Sequence, residues 1–150
     1  MDIFIDSIDN IDEILSFLAD NNLPVSDISV FDPPLFFCIR LNSVLIAVIG
    51  LEMFGVDGLL RSLAVAETYR GQHLAQRLVQ FAEKYAVAHG ITTLYLLTTT
   101  ASSFFNTLGY TSASRSAAPQ KISETTQFST LCPASSAFLR KIIGTEQHCN

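Results

Sequence analysis

The chain has 150 residues, of which 49% are apolar and 15% are charged, and its formal net charge is −5. That length suits one domain with a real hydrophobic core, and that composition argues against a disordered chain. An acidic balance without a basic run argues against a bare affinity for nucleic acid or for an anionic membrane surface.

The first half of the chain predicts a strand and a helix followed by three more strands. DIFIDSI has the pattern of a short strand, and apolar residues recur at helical spacing in DNIDEILSFLADNN, which Asp9 or Asn10 can cap. A turn-rich stretch, NNLPVSDISVFDPP, leads to the strands LFFCIR and VLIAVIGLEMF, with a tight turn at Asn42 and Ser43 between them. GVDG then turns the chain into a further strand, LLRSLAV.

The second half alternates helices with strands. Apolar residues from Leu74 to Tyr85 lie on one face of a predicted helix that Gly90 ends, and TTLYLLTT is the next strand. ASSFFNTLGY predicts a short helix before a strand at YTSASR, and APQKISETTQFSTL predicts another helix before a last strand, SAFLRKII. We therefore expect a single domain over residues 1–150 with an α/β fold. Its central sheet is mixed and mostly antiparallel, with about seven strands and with helices on both faces.

The segment VAETYRGQHLAQRLVQF places an arginine and a glycine where a strand runs into a helix. The first four amides of a helix have no intrahelical partner, and the aligned peptide dipoles place roughly half a positive charge there. Such a helix start binds anions, most often phosphate, and here Gly71 lets the backbone come close while Arg70 adds a positive charge. A plain strand–turn–helix with an exposed arginine is the alternative, because short glycine motifs are weak signals.

The same segment resembles the R-x-x-G-x-G/A acyl-CoA pyrophosphate loop of the GNAT superfamily of N-acetyltransferases, with Arg70, His73 and Ala75 on its three defining positions. The predicted element order is also that superfamily's order, and ASSFFNTLGY is similar to its A-x-x-F-Y-x-x-x-G-F segment. LLRSLAV, LYLLTTTASSFF and QFSTLCPASSAFLRK further resemble the small N-acetyltransferases found beside arsenic-resistance genes. The resemblance runs from about Ile3 to Ile143. It implies acetyl-CoA as co-substrate and a small arsenic-containing or amino-acid-like amine as acceptor.

The resemblance also implies a cofactor site. SLAV stands where the family's fourth strand pairs its backbone with pantetheine. The residues implied to bind acetyl-CoA are Leu63, Ala64, Val65, Arg70, Gly71, Gln72, His73, Leu74, Ala75, Thr98, Ser102 and Phe105.

Three of these positions depart from the family pattern. His73 replaces the glycine of the loop, which the backbone tolerates if the imidazole points outward. Thr98 stands where many relatives have an asparagine, and it supplies a hydroxyl instead. Phe105 replaces a tyrosine that often protonates the departing thiolate, a contribution worth about 10²- to 10⁴-fold in rate. Water or Ser102 could donate that proton, and the alternative role of Phe105 is to pack against pantetheine.

The implied chemistry is direct attack of an amine on the thioester, with a backbone N–H of SLAV stabilising the oxyanion. No base is obvious, and Glu52 is the best carboxylate candidate, while Ser62 either lines the site or packs as a small residue. Arg61 lies across the hairpin from Glu52. Its planar fork suits a carboxylate or another oxyanion on the acceptor, and the alternative is a structural ion pair between Arg61 and Glu52.

The connection APQKISETTQFSTLCPASS is long for a hairpin loop and predicts a lid over the acceptor pocket. Ile122, Phe128 and Leu131 are its apolar anchors. Cys132 is a candidate contact for a soft arsenic centre, although lone cysteines are usually small buried hydrophobes.

The remaining features bear on location and partners. The N-terminus is acidic, without the positive region of a signal peptide, and the longest apolar run, VLIAVIGL, is shorter than the roughly 20 residues that span a bilayer. The three cysteines form no CxxC pair and the three histidines are scattered, so we expect a reduced, cytoplasmic setting and no metal. A mean hydropathy of +0.35 leaves room for a homodimer through the C-terminal strands. A non-catalytic acyl-CoA sensor, and an acetyltransferase for a polyamine or a protein lysine, stay open as alternatives.

Overall fold

Seven strands and four α-helices make up the main regular structure in the part of the chain that the computed structural model describes, residues 4–28, 32–125, 128 and 136–144. The strands are β1 (Ile5–Ile8), β2 (Leu35–Leu41), β3 (Val44–Phe54), β4 (Asp57–Val65), β5 (Thr93–Thr98), β6 (Thr111–Ser112) and β7 (Ala137–Ile142). The helices are α1 (Ile11–Asp20), α2 (Leu74–Ala88), α3 (Ser102–Thr107) and α4 (Gln120–Ser123). This is the element order that the sequence predicts.

The strands form one sheet in the order β1-β2-β3-β4-β5-β7-β6. The pairs β1–β2, β2–β3, β5–β7 and β6–β7 are antiparallel, and β4 pairs with β5 in parallel. A parallel pair needs a crossover connection, and here α2 lies between the two strands in the chain. The predicted fold class, a mixed and mostly antiparallel sheet of about seven strands, is confirmed.

The chain divides into two compact units, the first of residues 1–52 and 61–82 and the second of residues 53–60 and 83–150. The boundary crosses β4 between Leu60 and Arg61 and crosses α2 between Ala82 and Glu83. One domain over residues 1–150 stays a prediction.

In the first unit, helices pack on both faces of the strands. Ile14 and Leu18 of α1 are fully buried in a cluster that includes Phe36 of β2. Phe37 points to the opposite face, because side chains alternate along a strand, and its ring meets the ring of Phe81 from α2 with centroids 5.1 Å apart. The predicted placement of helices on both faces therefore holds within this unit.

Two local predictions in this unit are confirmed by backbone geometry. The side chain of Asn10 accepts a hydrogen bond from the amide of Glu13 at 3.2 Å, so Asn10 is the N-cap of α1. Asn42 and Ser43 have φ angles of +51° and +67°. Two left-handed residues between antiparallel strands make the tight hairpin turn that matches the twist of β2 and β3.

The second unit has its own core, which includes two of the three predicted lid anchors. Ile122 of α4 is fully buried with Leu59, Tyr95 and Phe138, and Phe128 packs against this cluster with its ring 5.3 Å from that of Phe138. The third anchor, Leu131, lies outside the described residues.

Two predicted elements in this unit are shorter in the structure. The strand at YTSASR covers only Thr111 and Ser112, because the chain turns at Arg115, whose guanidinium donates to the carbonyl oxygen of Ser136 at 3.1 Å. Within the helix predicted over APQKISETTQFSTL, α4 ends at Ser123, and residues 126–127 and 129–131 of that segment lie outside the described residues. The hydroxyl of Thr125 donates to the carbonyl of Ile122 at 2.7 Å, and such local bonds compete with the helical ladder. None of the described helices is long and apolar enough to cross a membrane.

Candidate functional site

The loop between β4 and α2 combines an exposed backbone with two left-handed residues. A single 3₁₀ turn, Glu67–Tyr69, follows β4, and Gly71 and His73 then have φ angles of +81° and +64°. The amide of Arg77 donates to the carbonyl of His73 at 3.1 Å, which places His73 at the N-cap of α2. The amides of the first helical turn therefore precede the first intrahelical bond, as an anion site requires.

Gly71 leaves space beside this helix start. A Cβ built at Gly71 would meet no atom of the described residues within 4 Å, and the loop from Arg70 to His73 is exposed. Open space next to amide donors fits a pyrophosphate group.

His73 occupies its position in a glycine-like conformation. Its φ angle lies in the left-handed region, which a side chain disfavours by about 1–2 kcal/mol, and its imidazole is exposed. An exposed side chain leaves the backbone of the loop free to curve around an anion. A residue other than glycine at this position therefore adds strain to the loop.

We expect His73→Gly to raise the free energy of unfolding by up to about 1 kcal/mol, because glycine adopts this φ without a Cβ clash. The greater entropy of glycine in the unfolded chain offsets part of this gain. The Kd for acetyl-CoA should stay the same or fall. Urea denaturation and calorimetric titration measure the two effects. A tenfold or larger rise in Kd would show that the imidazole itself binds the ligand.

The guanidinium of Arg70 donates two hydrogen bonds that connect the loop to neighbouring parts of the first unit. Its Nε donates to the carbonyl of Val65 at the end of β4 at 3.0 Å, and its Nη2 donates to Oδ1 of Asn21 at 3.4 Å. These bonds use two of the five N–H donors of the exposed guanidinium. Arg70 can therefore keep the loop in place and still present a positive charge to an anion.

An outlier in the backbone marks the middle of β4. Ser62 is buried and has a φ angle of +56°, which is rare for a residue inside a strand. A left-handed residue at such a place redirects the backbone groups beside it, and strain of this kind clusters at functional sites. The two residues that follow, Leu63 and Ala64, are partly buried and buried, and Ala64 belongs to the core of the first unit.

Arg61, next to Ser62, is the centre of a buried charge cluster. Its Nη1 and Nη2 donate to the two carboxylate oxygens of Asp27 at 2.5 and 2.8 Å, and Nη1 also donates to Oε1 of Glu52 at 3.1 Å. Its Nε donates to the hydroxyl of Ser62 at 3.2 Å. The side chains of Arg61 and Asp27 are each 3% exposed, whereas that of Glu52 is 24% exposed.

The two carboxylates decide the protonation of this cluster. Burial works to lower the pKa of the Arg61 guanidinium, but hydrogen bonds and charges from Asp27 and Glu52 outweigh burial and raise the pKa. Gly50 makes room for the aliphatic stem, because a Cβ there would lie 3.0 Å from Cγ of Arg61. Arg61 is thus a fixed cation that two carboxylates hold.

This geometry bears on the two predicted roles of Arg61. The ion pair with Glu52 is present, and a stronger pair with Asp27 accompanies it. A guanidinium whose fork already holds a carboxylate in parallel has less to offer an acceptor. The contacts therefore favour the ion-pair alternative, and acceptor binding by Arg61 stays a prediction.

The second unit holds the other predicted cofactor residues. The hydroxyl oxygen of Thr98, at the end of β5, accepts from the amides of Ala101 at 2.9 Å and Thr100 at 3.4 Å, while its own hydrogen can still be donated. Ser102, the first residue of α3, is partly buried.

Phe105 of α3 packs in an aromatic cluster of the second unit. Its side chain is 6% exposed and makes edge contacts with the rings of Phe104 and Tyr110, with centroids 5.0 and 5.6 Å apart. In these surroundings the phenyl ring packs against other side chains of the second unit. Whether it also touches pantetheine stays a prediction.

Within the first unit, the structure brings Glu52, Arg61 and Ser62 together, and it adds Asp27, which the sequence did not single out. Asp27 lies in the turn-rich stretch VSDIS, where no local pattern marks it as a partner of Arg61. Cys132 lies outside the described residues. Among the described residues, no group of three histidine, cysteine, aspartate or glutamate side chains could hold a metal ion.

Comparisons with known proteins bear on the family and the fold of this chain. The model of the acetyltransferase (GNAT) family matches residues 6–110. N-acetylglutamate synthase from Neisseria gonorrhoeae, complexed with coenzyme A and N-acetyl-glutamate, is 17% identical with a TM-score of 0.76, over 95% of this chain and 36% of that chain. The GNAT-family acetyltransferase from Staphylococcus aureus Mu50 is 15% identical with a TM-score of 0.72, over 95% of this chain and 99% of that chain. The ribosomal-protein-S18-alanine N-acetyltransferase from Escherichia coli is 16% identical with a TM-score of 0.68, over 99% of both chains.

The solved structures and the family model show different things about this chain. At such identities the solved structures show the fold alone, and the chain spans only 36% and 33% of the length of the two N-acetylglutamate synthase chains that it matches. A sequence search of curated proteins gave no match. The family model, in contrast, covers residues 6–110, more than half of the 150. The chain therefore belongs to the acetyltransferase (GNAT) family.

Proposed function

We propose that the protein is an acetyl-CoA-dependent N-acetyltransferase that transfers the acetyl group to the primary amine of a small molecule. The observation that carries this proposal is the loop from Arg70 to Ala75. Its left-handed Gly71 and His73, its open space and the free amides at the start of α2 suit a pyrophosphate. Membership of the family supplies the chemistry that such a loop serves.

The other cofactor contacts belong to the same proposal. In the first unit we assign pantetheine to the backbone of Leu63, Ala64 and Val65, beside the strained Ser62. In the second unit we assign Thr98 and Ser102 as polar contacts and Phe105 as an apolar one.

The transfer needs a base for the acceptor, which is an ammonium ion at neutral pH. We assign this role to Glu52, whose partly exposed carboxylate has one oxygen held by Arg61 and a second oxygen for the proton. The neutral amine then attacks the thioester carbonyl, and the carbon–sulfur bond breaks. The nitrogen gives up its second proton, which reaches the thiolate through water or Ser102. A backbone N–H beside Ser62 is the proposed oxyanion donor.

The acceptor itself is a finer proposal. Resemblance to the acetyltransferases beside arsenic-resistance genes points to an arsenic-containing or amino-acid-like amine, and the proposed setting is the cytoplasm. The solved relatives act on different amines, since one is named for glutamate and another for the alanine of a ribosomal protein. A polyamine and a protein lysine therefore remain in the set to be tested, as does the homodimer that the sequence leaves open.

Two measurements test the proposal together. Calorimetric titration measures acetyl-CoA binding, and a thiol-release assay measures turnover with amino acids, an arsenic-containing amino acid, a polyamine and a lysine peptide. Binding together with thiol release on at least one amine supports the proposal. Binding without turnover on any amine would favour the acyl-CoA sensor, for which the buried Phe105 in place of an acidic tyrosine is the supporting observation. Absence of binding would contradict both.

We expect Arg70→Ala to weaken acetyl-CoA binding by about 1–3 kcal/mol, because it removes a charge-assisted hydrogen bond to phosphate. Lys84→Ala is the control, since Lys84 is an exposed cation of the same helix about 15 Å from its start. Calorimetric titration of both variants, with a melting curve to check folding, gives the comparison. Equal affinities of Arg70→Ala and Lys84→Ala for acetyl-CoA would contradict the assignment of its pyrophosphate to this loop.

A further inference from the structure

The bidentate pair between Asp27 and Arg61 joins two parts of the first unit that are far apart in sequence. Asp27 belongs to the turn that follows α1, and Arg61 belongs to β4. The neighbours of Asp27 fix that turn, because Ile28 is buried in the core and its amide donates to the carbonyl of Val25 at 3.1 Å. Asp27 therefore lies next to a residue that is anchored in the core, on a segment that has no regular secondary structure.

Arg61 connects Asp27 with Glu52 and Ser62, the two residues that the proposed reaction uses. Two of its nitrogens are held by Asp27, which leaves its plane fixed. In that plane, Nη1 reaches Oε1 of Glu52 and Nε reaches the hydroxyl of the strained Ser62. The orientation of the proposed base and of the irregular backbone in β4 thus depends on one guanidinium.

Stability alone is a poor reason for such an arrangement. A buried ion pair is often no more stabilising than apolar side chains of the same volume, because both charges lose their hydration. A left-handed serine inside a strand adds a further cost. Two costly features that share one hydrogen-bonded group are better explained by the precision that catalysis needs.

We propose that Asp27 is a positioning residue of the acetyl transfer, which acts through Arg61 to orient Glu52 and the backbone at Ser62. The inference rests on the proposed function. It assigns to Asp27 no contact with either substrate, and it makes the turn after α1 part of the catalytic apparatus of the first unit.

The experiment compares Asp27→Asn and Arg61→Lys with the unaltered protein. Asparagine keeps the shape of Asp27 but loses its charge, and lysine keeps the charge of Arg61 but cannot bind two carboxylate oxygens in parallel. We expect each variant to lower kcat at least tenfold on the amine that the unaltered protein acetylates fastest. The Kd for acetyl-CoA should change less than twofold, and the far-ultraviolet circular dichroism at the assay temperature should not change.

Two further variants sharpen the result. The double variant Asp27→Asn/Arg61→Lys should be no slower than the slower single variant, because both changes release the same guanidinium. Asp20→Asn, at the exposed end of α1, is the matched control and should leave kcat within twofold. If Asp27→Asn does not fold, Asp27→Glu keeps the charge on a longer stem and should recover part of kcat in a folded protein.

Each outcome decides the matter. The inference would be overturned by an unchanged kcat in Asp27→Asn, or by losses of kcat that multiply in the double variant. A parallel loss of acetyl-CoA binding would also overturn it, because that result would show a structural role for Asp27. A wild-type protein that binds acetyl-CoA but acetylates no amine would instead overturn the proposed function, and this inference with it.

Discussion

Arg61→Ala is expected to lower the free energy of unfolding by about 3–5 kcal/mol, because it leaves the carboxylate of Asp27 buried without a partner. The side chain of Asp27 is 3% exposed and both of its oxygens accept from Arg61, so little water can replace the lost donors. Alanine also empties the space above Gly50 that the stem of Arg61 fills. Urea denaturation at neutral pH measures the loss.

The control is an arginine of the same unit with an exposed partner. Arg40 on β2 binds Glu13 in a similar fork, but the two side chains are 36% and 34% exposed. Because solvent screens such a pair, Arg40→Ala should cost less than about 1 kcal/mol. If the two variants lose the same amount, burial adds nothing to the pair of Arg61 with Asp27. If Arg61→Ala keeps full stability and only raises the KM of the acceptor, Arg61 is an acceptor ligand, one of the two roles that the sequence suggested.

Glu52→Gln is expected to lower kcat by about 10²- to 10⁴-fold, the usual contribution of general base catalysis. Glutamine keeps the oxygen that accepts from Arg61 but cannot take a proton from the acceptor ammonium. Stability should change little, because the carboxylate of Glu52 is partly exposed and Asp27 still neutralises Arg61. Steady-state kinetics of thiol release measure kcat.

An exposed glutamate of the same unit gives the comparison. Glu67→Gln, in the 3₁₀ turn after β4, should leave kcat within twofold. A loss of less than threefold in Glu52→Gln would mean that Glu52 is only an ion-pair partner and that the base lies elsewhere. A rise in the Kd for acetyl-CoA would argue against the assigned role, since a base for the acceptor has no contact with the nucleotide.

The order of the elements and the turn into α2 at Arg70 and Gly71 could be predicted from the sequence because local patterns determine them, whereas acetyl-CoA binding at that turn stays a proposal. A continuous apolar run gave β3 its observed bounds, and a helical pattern predicted α2 to within a few residues. Arg70 and Gly71 are adjacent in sequence to the helix start that they serve, so no long-range contact was needed to find them. The shorter α4 and β6 were missed because hydroxyl bonds at Thr125 and the guanidinium contact of Arg115 override the apolar pattern.

The left-handed Ser62 and the pairing of Arg61 with Asp27 were decided by the tertiary structure alone. No residue pattern around Ser62 predicts a positive φ, because serine has no preference that would place it there. Asp27 is 34 residues from Arg61, and nothing local distinguishes it from the other acidic residues of the first 32. Only the packing of the turn after α1 against β3 and β4 brings a carboxylate into reach of a buried guanidinium. The sequence was therefore enough to indicate the family to which the chain belongs. It could not indicate that Asp27 pairs with Arg61, because that pair depends on burial in the folded chain, which the sequence does not record.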